Sequence, residues 1–319
     1  MQKIKSNLKN IFTSYWHFLA LQKACYFEIF DLLETNSLDV EEVSQKLNLE
    51  IKPLSYLFGF LLDENYLKEK SGKYELTEKG LLFTERHPES IKNACILWGK
   101  EHLSAWQNLD FSLKTGRPSF ENIFGAAYFD YLESSPKELK NYHLAMRDYA
   151  KDDYKDLSSI INFSKYKTIA DVGGGLGVVV NLIASNYPNS DCILFDLPSV
   201  ISLVEKTDSF QVRSGSFFEP LPFKADAIIL SRVLHDWNDE KALKIISNCK
   251  RALNRGGTIF IIEILQDKIK AQLLSLNMLV ICESFERTFS EYQSLLQKQE
   301  LAITDSIPLN SLQSILVCK

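Results

Sequence analysis

The sequence is poor in the features that define several function classes. Its six cysteines, Cys25, Cys95, Cys192, Cys249, Cys282 and Cys318, are scattered, and no two have C-x-x-C spacing. A zinc ribbon and a disulfide framework are therefore not expected, and no metal site is. Positive charge is not in excess, the formal net charge being −5. Non-specific binding to nucleic acid, which needs a net positive surface, is disfavoured. No apolar run is long enough to span a bilayer. The apolar stretch from Ile11 to Phe30 is interrupted by Ser14, His17, Gln22 and Lys23, and no small-residue cleavage site follows it. It does not read as a signal peptide, and a cytoplasmic location is expected. There are no internal repeats and no low-complexity segments.

What is present is a chain of 319 residues with 45% hydrophobic content. That length suits about two domains with sizeable cores. From Leu8 to Leu33 apolar residues recur every three or four positions: Leu8, Ile11, Phe12, Tyr15, Leu19, Ala24, Phe27 and Phe30. This is the spacing of a buried helix face. It carries more aromatic residues than one packing face needs, so part of it is expected to meet another subunit. Asp39 is placed to cap a helix over Val40 to Leu47. A second helix runs from about Pro53 to Glu64, with proline in its first turn. The residues 66–70 and 73–77 then alternate around Ser71-Gly72 as a hairpin. Helix, helix, hairpin is the order of a winged helix-turn-helix. The second helix is apolar nearly all round and offers no polar face for base edges. A structural or dimerisation role is the better reading than DNA binding.

Residues 91–160 are helical in pattern, with breaks at Gly116-Arg117-Pro118 and Ser134-Ser135-Pro136. From Lys167 short β-branched runs alternate with helical stretches, the texture of a parallel sheet covered by helices. Strands are expected at Thr168–Val172, Cys192–Asp196, Gln211–Ser214, Ala225–Leu230, Thr258–Ile264, Leu301–Ser306 and Ser314–Cys318.

The first of these strands runs into Asp171-Val172-Gly173-Gly174-Gly175-Leu176-Gly177 and then a helix. Glycines let the chain turn sharply and let a ligand approach the backbone. A dinucleotide fold places a pyrophosphate at such a helix start. Asp171, directly before the glycines, would repel phosphate and can accept from a cationic amine. S-adenosylmethionine has such an amine and no phosphate. Asp196 ends the next strand, where a carboxylate can accept from ribose hydroxyls; the alternative is a cap for the helix that starts near Pro198. The fourth strand leads to His235, just past the carboxyl edge of the sheet where ligands of open α/β folds bind. Neutral imidazole is a suitable acceptor for a phenolic proton. A helix cap or a surface residue is the alternative.

Four ordered segments now carry a resemblance: Asp171 to Gly177, then Phe195-Asp196-Leu197-Pro198, then Val233-Leu234-His235-Asp236-Trp237-Asn238-Asp239-Glu240, then Leu253-Asn254-Arg255-Gly256-Gly257. Together they resemble the plant-type small-molecule O-methyltransferases, which include caffeate, flavonoid and acetylserotonin methyltransferases and bacterial relatives. The resemblance implies a Rossmann-like α/β domain with a seven-stranded mixed sheet at 161–319. It implies a winged-helix-like dimerisation domain at 1–90 and a helical connector that helps line the substrate pocket at 91–160. It implies S-adenosylmethionine as cofactor without metal, a small acceptor as partner, no nucleic acid or membrane partner, and a homodimer.

By position, His235 looks like the general base and Glu263 and Glu286 like the two carboxylates flanking it. Asp171, Gly173, Gly175, Asp196, Leu197, Gly215, Ser216, Phe217 and Ser231 look like cofactor contacts. Tyr142, Met146, Tyr149 and Asp236 look like acceptor contacts, ordinary helix packing being an equal reading for the first three. The sequence departs from the family at Ser216, where aspartate usually contacts adenine, and at Ser231, where plant members often have lysine. The short stretch from Glu263 to Glu286 also differs. Altered chemistry on the same fold, decarboxylation or hydroxylation, is one alternative function, and a metabolite-sensing regulator using the winged helix is another. The sequence does not identify the acceptor.

Overall fold

The computed structural model describes residues 2–268 and 271–319, and for residues 2–10 the backbone alone. The chain divides into two compact units, residues 1–103 and 104–319. The helical stretch 91–160 is thus shared between them.

The first unit opens on helix Gln2–Tyr26, followed by Ile29–Glu34. The single apolar stripe expected from Leu8 to Leu33 is broken here because Glu28 turns left-handed, with φ 59°. Helix Val40–Leu47 starts with a capping box in which Asp39 and Glu42 satisfy each other's backbone N–H groups. Helix Ile51–Asp63 buries Leu54, Phe58 and Leu61. The hairpin consists of β1 (Leu67–Lys70) and β2 (Lys73–Leu76), and Leu38 adds a bridge to Tyr74. Ser71 and Gly72 both have positive φ, 54° and 78°, as a tight two-residue hairpin turn requires. Leu21, Ala24, Phe30, Val43, Phe58 and Tyr66 are central to its core. Among the described residues no helix is long and apolar enough to cross a membrane.

The second unit begins with short helices and the long helix Pro136–Asp153, which has proline at its first turn. Seven strands follow: β3 (Thr168–Val172), β4 (Asp191–Asp196), β5 (Gln211–Ser214), β6 (Ala225–Ser231), β7 (Leu253–Ile264), β8 (Ile303–Pro308) and β9 (Gln313–Cys318). They lie in the order β5-β4-β3-β6-β7-β9-β8. The first five pair in parallel and β9 is antiparallel to both its neighbours, so the sheet is mixed. The central strands are buried on both faces and accordingly read as continuous Ile, Val, Leu and Phe runs. Strand order reverses between β3 and β6. The crevice at the carboxyl ends of such neighbours is where open α/β folds bind ligands.

Candidate active site

Two clusters of side chains meet the carboxyl edge of the sheet. The first lies where β3 and β4 end. Gly173, Gly175 and Gly177 all have positive φ, 73°, 58° and 81°, which L side chains rarely adopt. A methyl at Gly174 would come within 2.5 Å of Asp171 Oδ2 and 2.6 Å of Leu194 Cδ1. The turn therefore wraps closely over the Asp171 carboxylate. Asp171 is buried, and neither of its oxygens makes a hydrogen bond. Burial, with the Asp196 charge nearby, pushes it up to about 7. Asp196 is held differently. Its Oδ2 accepts from Gly175 N–H at 2.8 Å and its Oδ1 from Leu197 N–H at 2.7 Å. Burial still lifts it to about 6 against those two donors. Each oxygen retains a lone pair.

The loop after β5 borders this turn. Gly215 packs so closely that an added Cβ would lie 2.9 Å from Phe195. Ser216 Oγ accepts from Phe218 N–H at 3.2 Å and shapes the loop. The Phe217 ring lies over Gly173, 3.4 Å from the place a Cβ would occupy. Ser231 Oγ donates to Tyr154 Oη at 2.7 Å. Leu197 packs against the cluster formed by Phe120, Tyr128, Leu132 and Met278.

The second cluster surrounds His235, which is 5% exposed. Its Nδ1 lies 3.2 Å from Glu286 Oε1, and its Nε2 lies 3.5 Å from Asp236 Oδ1. Burial and the Arg232 charge oppose protonation of the ring. Asp236, Glu286 and Glu263 outweigh them and lift it to about 9. Glu286 is lifted by burial, but the His235 and Arg232 charges prevail and hold it below the usual carboxylate value. Burial drives Asp236 and Glu263 upward.

The two glutamates expected to flank the ring have different tasks. Glu263 Oε1 accepts from the backbone N–H groups of Val233, Leu234 and His235, at 3.1, 2.9 and 3.4 Å. It fixes the loop that carries the imidazole, while Glu286 alone meets Nδ1. His235, Glu263 and Glu286 each offer a ligand atom within 4.8 Å of the others. Facing the two carboxylates are already three backbone N–H groups, on Glu263, and the guanidinium of Arg232, at 3.1 Å from Glu286 Oε1.

Tyr142 is enclosed by aromatic rings, Tyr128 at 5.6 Å and Phe129 at 6.1 Å. Met146 is half-buried and Tyr149, one turn on, is 42% exposed. Phe129 in turn stacks on Trp237 at 5.3 Å. Sequence reasoning missed Phe129, Trp237 and Arg232 as site residues. Arg232 left a signal, being the only charge between the apolar strand and Leu234.

Residues 106–301 match the family model of the O-methyltransferase domain. The phenazine O-methyltransferase of Lysobacter antibioticus is 29% identical over 98% of this chain and 95% of its own. The 3-amino-4-hydroxybenzoate 4-O-methyltransferase of Streptomyces cremeus is 31% identical over 76% of this chain and 70% of its own. Among solved structures, LaPhzM superposes with TM-score 0.94 at 28% identity, covering 99% of both chains. Human N-acetylserotonin methyltransferase in complex with SAM superposes with TM-score 0.89 at 25% identity, covering 99% of this chain and 97% of that one.

Proposed function

From the premise that this chain belongs to the plant-type O-methyltransferase family, we propose that it methylates a hydroxyl of a small aromatic metabolite, with His235 as general base. The observation that carries the proposal is the imidazole held on Nδ1 by Glu286, beside a glycine turn that covers an unpartnered carboxylate.

The residues present fit S-adenosylmethionine. The orphaned carboxylate of Asp171 would meet its α-amino group, and the free lone pairs of Asp196 its ribose hydroxyls. Gly173, Gly175, Leu197, Gly215, Ser216, Phe217 and Ser231 would line the rest of the cofactor. When bound, the cofactor supplies an electrophilic methyl group on sulfonium. The protein must then orient the acceptor and take its proton. Once the ring is deprotonated, Glu286 on Nδ1 fixes the tautomer that leaves the Nε2 lone pair free, and it stabilises the imidazolium that forms on proton transfer. Nε2 and Asp236 Oδ1, 3.5 Å apart, would both meet an acceptor hydroxyl placed against the pair. Tyr142, Met146 and Tyr149 would line the acceptor with Asp236. The stacked rings of Phe129 and Trp237 suit a planar acceptor, and the similar proteins named above carry the names of aromatic ones.

The chain would act as a homodimer through its first helix. Ile11, Phe12, Tyr15 and Trp16 are each more than half exposed and lie on one face, the signature of an unsatisfied packing surface. Light scattering is expected to give a dimer, and the double substitution Phe12→Glu with Trp16→Glu a monomer. A monomeric unaltered chain at micromolar concentration would refute this.

The enzymatic reading is tested by mass spectrometry after incubation with S-adenosylmethionine and a panel of phenols and hydroxylated metabolites. Gain of one methyl group on oxygen is expected. Methylation of nitrogen or carbon only, or loss of carbon dioxide from a carboxylated acceptor, would overturn it.

A further inference from the structure

One charged residue at the site has no part in the chemistry above. Arg232 stands between β6 and the turn that carries His235, with φ 56°. A non-glycine residue keeps that left-handed conformation only where its surroundings enforce it, at a cost on the order of 1–3 kcal/mol. Here its N–H donates to the Ile262 carbonyl of β7 at 3.0 Å. The kink lets the next three N–H groups converge on Glu263, while the Arg232 side chain reaches Glu286 Oε1 at 3.1 Å. That oxygen also faces His235 Nδ1 at 3.2 Å, and Glu286 Oε2 has no partner. A single carboxylate oxygen thus serves two donors.

The charges around this pair explain why the sharing matters. Arg232 is surrounded by Glu286, Glu263, Tyr154 and Asp236, and it also acts on Asp153 at the end of the long helix. His235 faces Asp236, Glu286 and Glu263, with the Arg232 charge opposing them; the Arg287 guanidinium also packs on this turn, donating to the Leu234 and Trp237 carbonyls at 2.7 Å each. Three acids around an imidazole favour imidazolium, and imidazolium cannot accept a proton. The Arg232 guanidinium opposes them, and hydrogen bonding to the shared oxygen holds the Glu286 carboxylate in place.

We propose that Arg232 is a positioning residue for the base: by sharing Glu286 Oε1 with the ring, it fixes the carboxylate against Nδ1 and opposes the acids that favour imidazolium. The inference rests on the reading of His235 as base, and its test separates the two.

The imidazole signals of the full chain, which has five histidines, are titrated by NMR, with His235 identified by the signal lost in His235→Gln. Arg232→Met removes the charge and keeps the length. It is expected to raise the His235 midpoint by about 1 unit or more. Arg232→Lys is expected to restore most of the shift. If Arg232→Met does not fold, Arg232→Gln is expected to give the same rise. In turnover, the acid limb of kcat is expected to move to higher pH, with about 10-fold less activity near pH 7 and convergence on the unaltered enzyme at alkaline pH. An unchanged or lowered midpoint would overturn the proposal, as would a loss equal at every pH. So would a rise confined to KM for the cofactor with an unchanged kcat profile, since that would assign Arg232 to the cofactor. Failure of the unaltered chain to methylate any phenol would sink the reading of the enzyme, while the NMR shift would still decide the role of Arg232.

Discussion

Lys92 in the first unit and Asp171 in the second are charged groups buried in different ways. In the first, Lys92 is 6% exposed and its ammonium lies 2.8 Å from Asp31 Oδ2 and 3.5 Å from Glu85. Asp31 Oδ1 also accepts from Glu85 N–H at 2.7 Å. Burial would lower Lys92, but its bond to Asp31 prevails and raises it. In the second unit, Asp171 is buried with no side-chain partner, only the Val180 N–H acting on it from the backbone, and Glu263 and Glu286 each leave one oxygen bare. A buried charge met by its opposite is part of the scaffold, whereas a buried carboxylate left bare costs stability until something cationic arrives.

Three substitutions probe this contrast, the largest effect first. His235→Ala is expected to lower turnover by roughly 10²–10⁴-fold while S-adenosylhomocysteine still binds, as turnover assays beside calorimetry would record. Equal loss of both would make His235 a structural residue like Lys92. Lys92→Met strands the Asp31 carboxylate and is expected to cost about 2–4 kcal/mol in denaturant unfolding, with cofactor affinity unchanged. A weakened cofactor affinity would break the division between the units. Asp171→Asn is expected to weaken S-adenosylhomocysteine binding by about 10–100-fold in calorimetry.

The same substitution carries a pH signature. The folded-state value of Asp171, about 7, lies above its unfolded value of about 3.9. Between these the folded chain holds the extra proton, so stability falls as pH rises from about 4 to 7 and stays low above. Asp171→Asn removes this loss. The ligand-free variant is expected to gain on the unaltered chain most above pH 7, and not near pH 4, by denaturant titration across that range. A variant less stable at pH 8 would mean that Asp171 holds the fold together.

Features set by neighbours in the chain were legible in the sequence. The capping box at Asp39, the Ser71-Gly72 turn and the glycine turn after Asp171 all depend on a few consecutive residues. Strand positions came within a few residues for the same reason, although β7 begins at Leu253 and not Thr258, because Leu253 pairs with Ala225 across a bulge. Features set by packing were not legible. Nothing local at Glu28 marks the left-handed break between the first two helices. Glu263 and Glu286 were identified through family resemblance, but their separate duties depend on which way a distant loop presents its N–H groups. Arg232 is legible as a lone charge after an apolar strand, but its kink, set against the Ile262 carbonyl of the next strand, is not.

Asp171, lifted by burial to about 7, is expected to give up a proton when a cation binds beside it. Calorimetric binding of S-adenosylhomocysteine, in buffers of different ionisation enthalpy at about pH 6.5, tests it most directly, since the ligand's amine is already fully charged there. The account expects the release of more than about half a proton on binding, reduced to a small remainder in Asp171→Asn. No release, or release that persists undiminished in the variant, would contradict it.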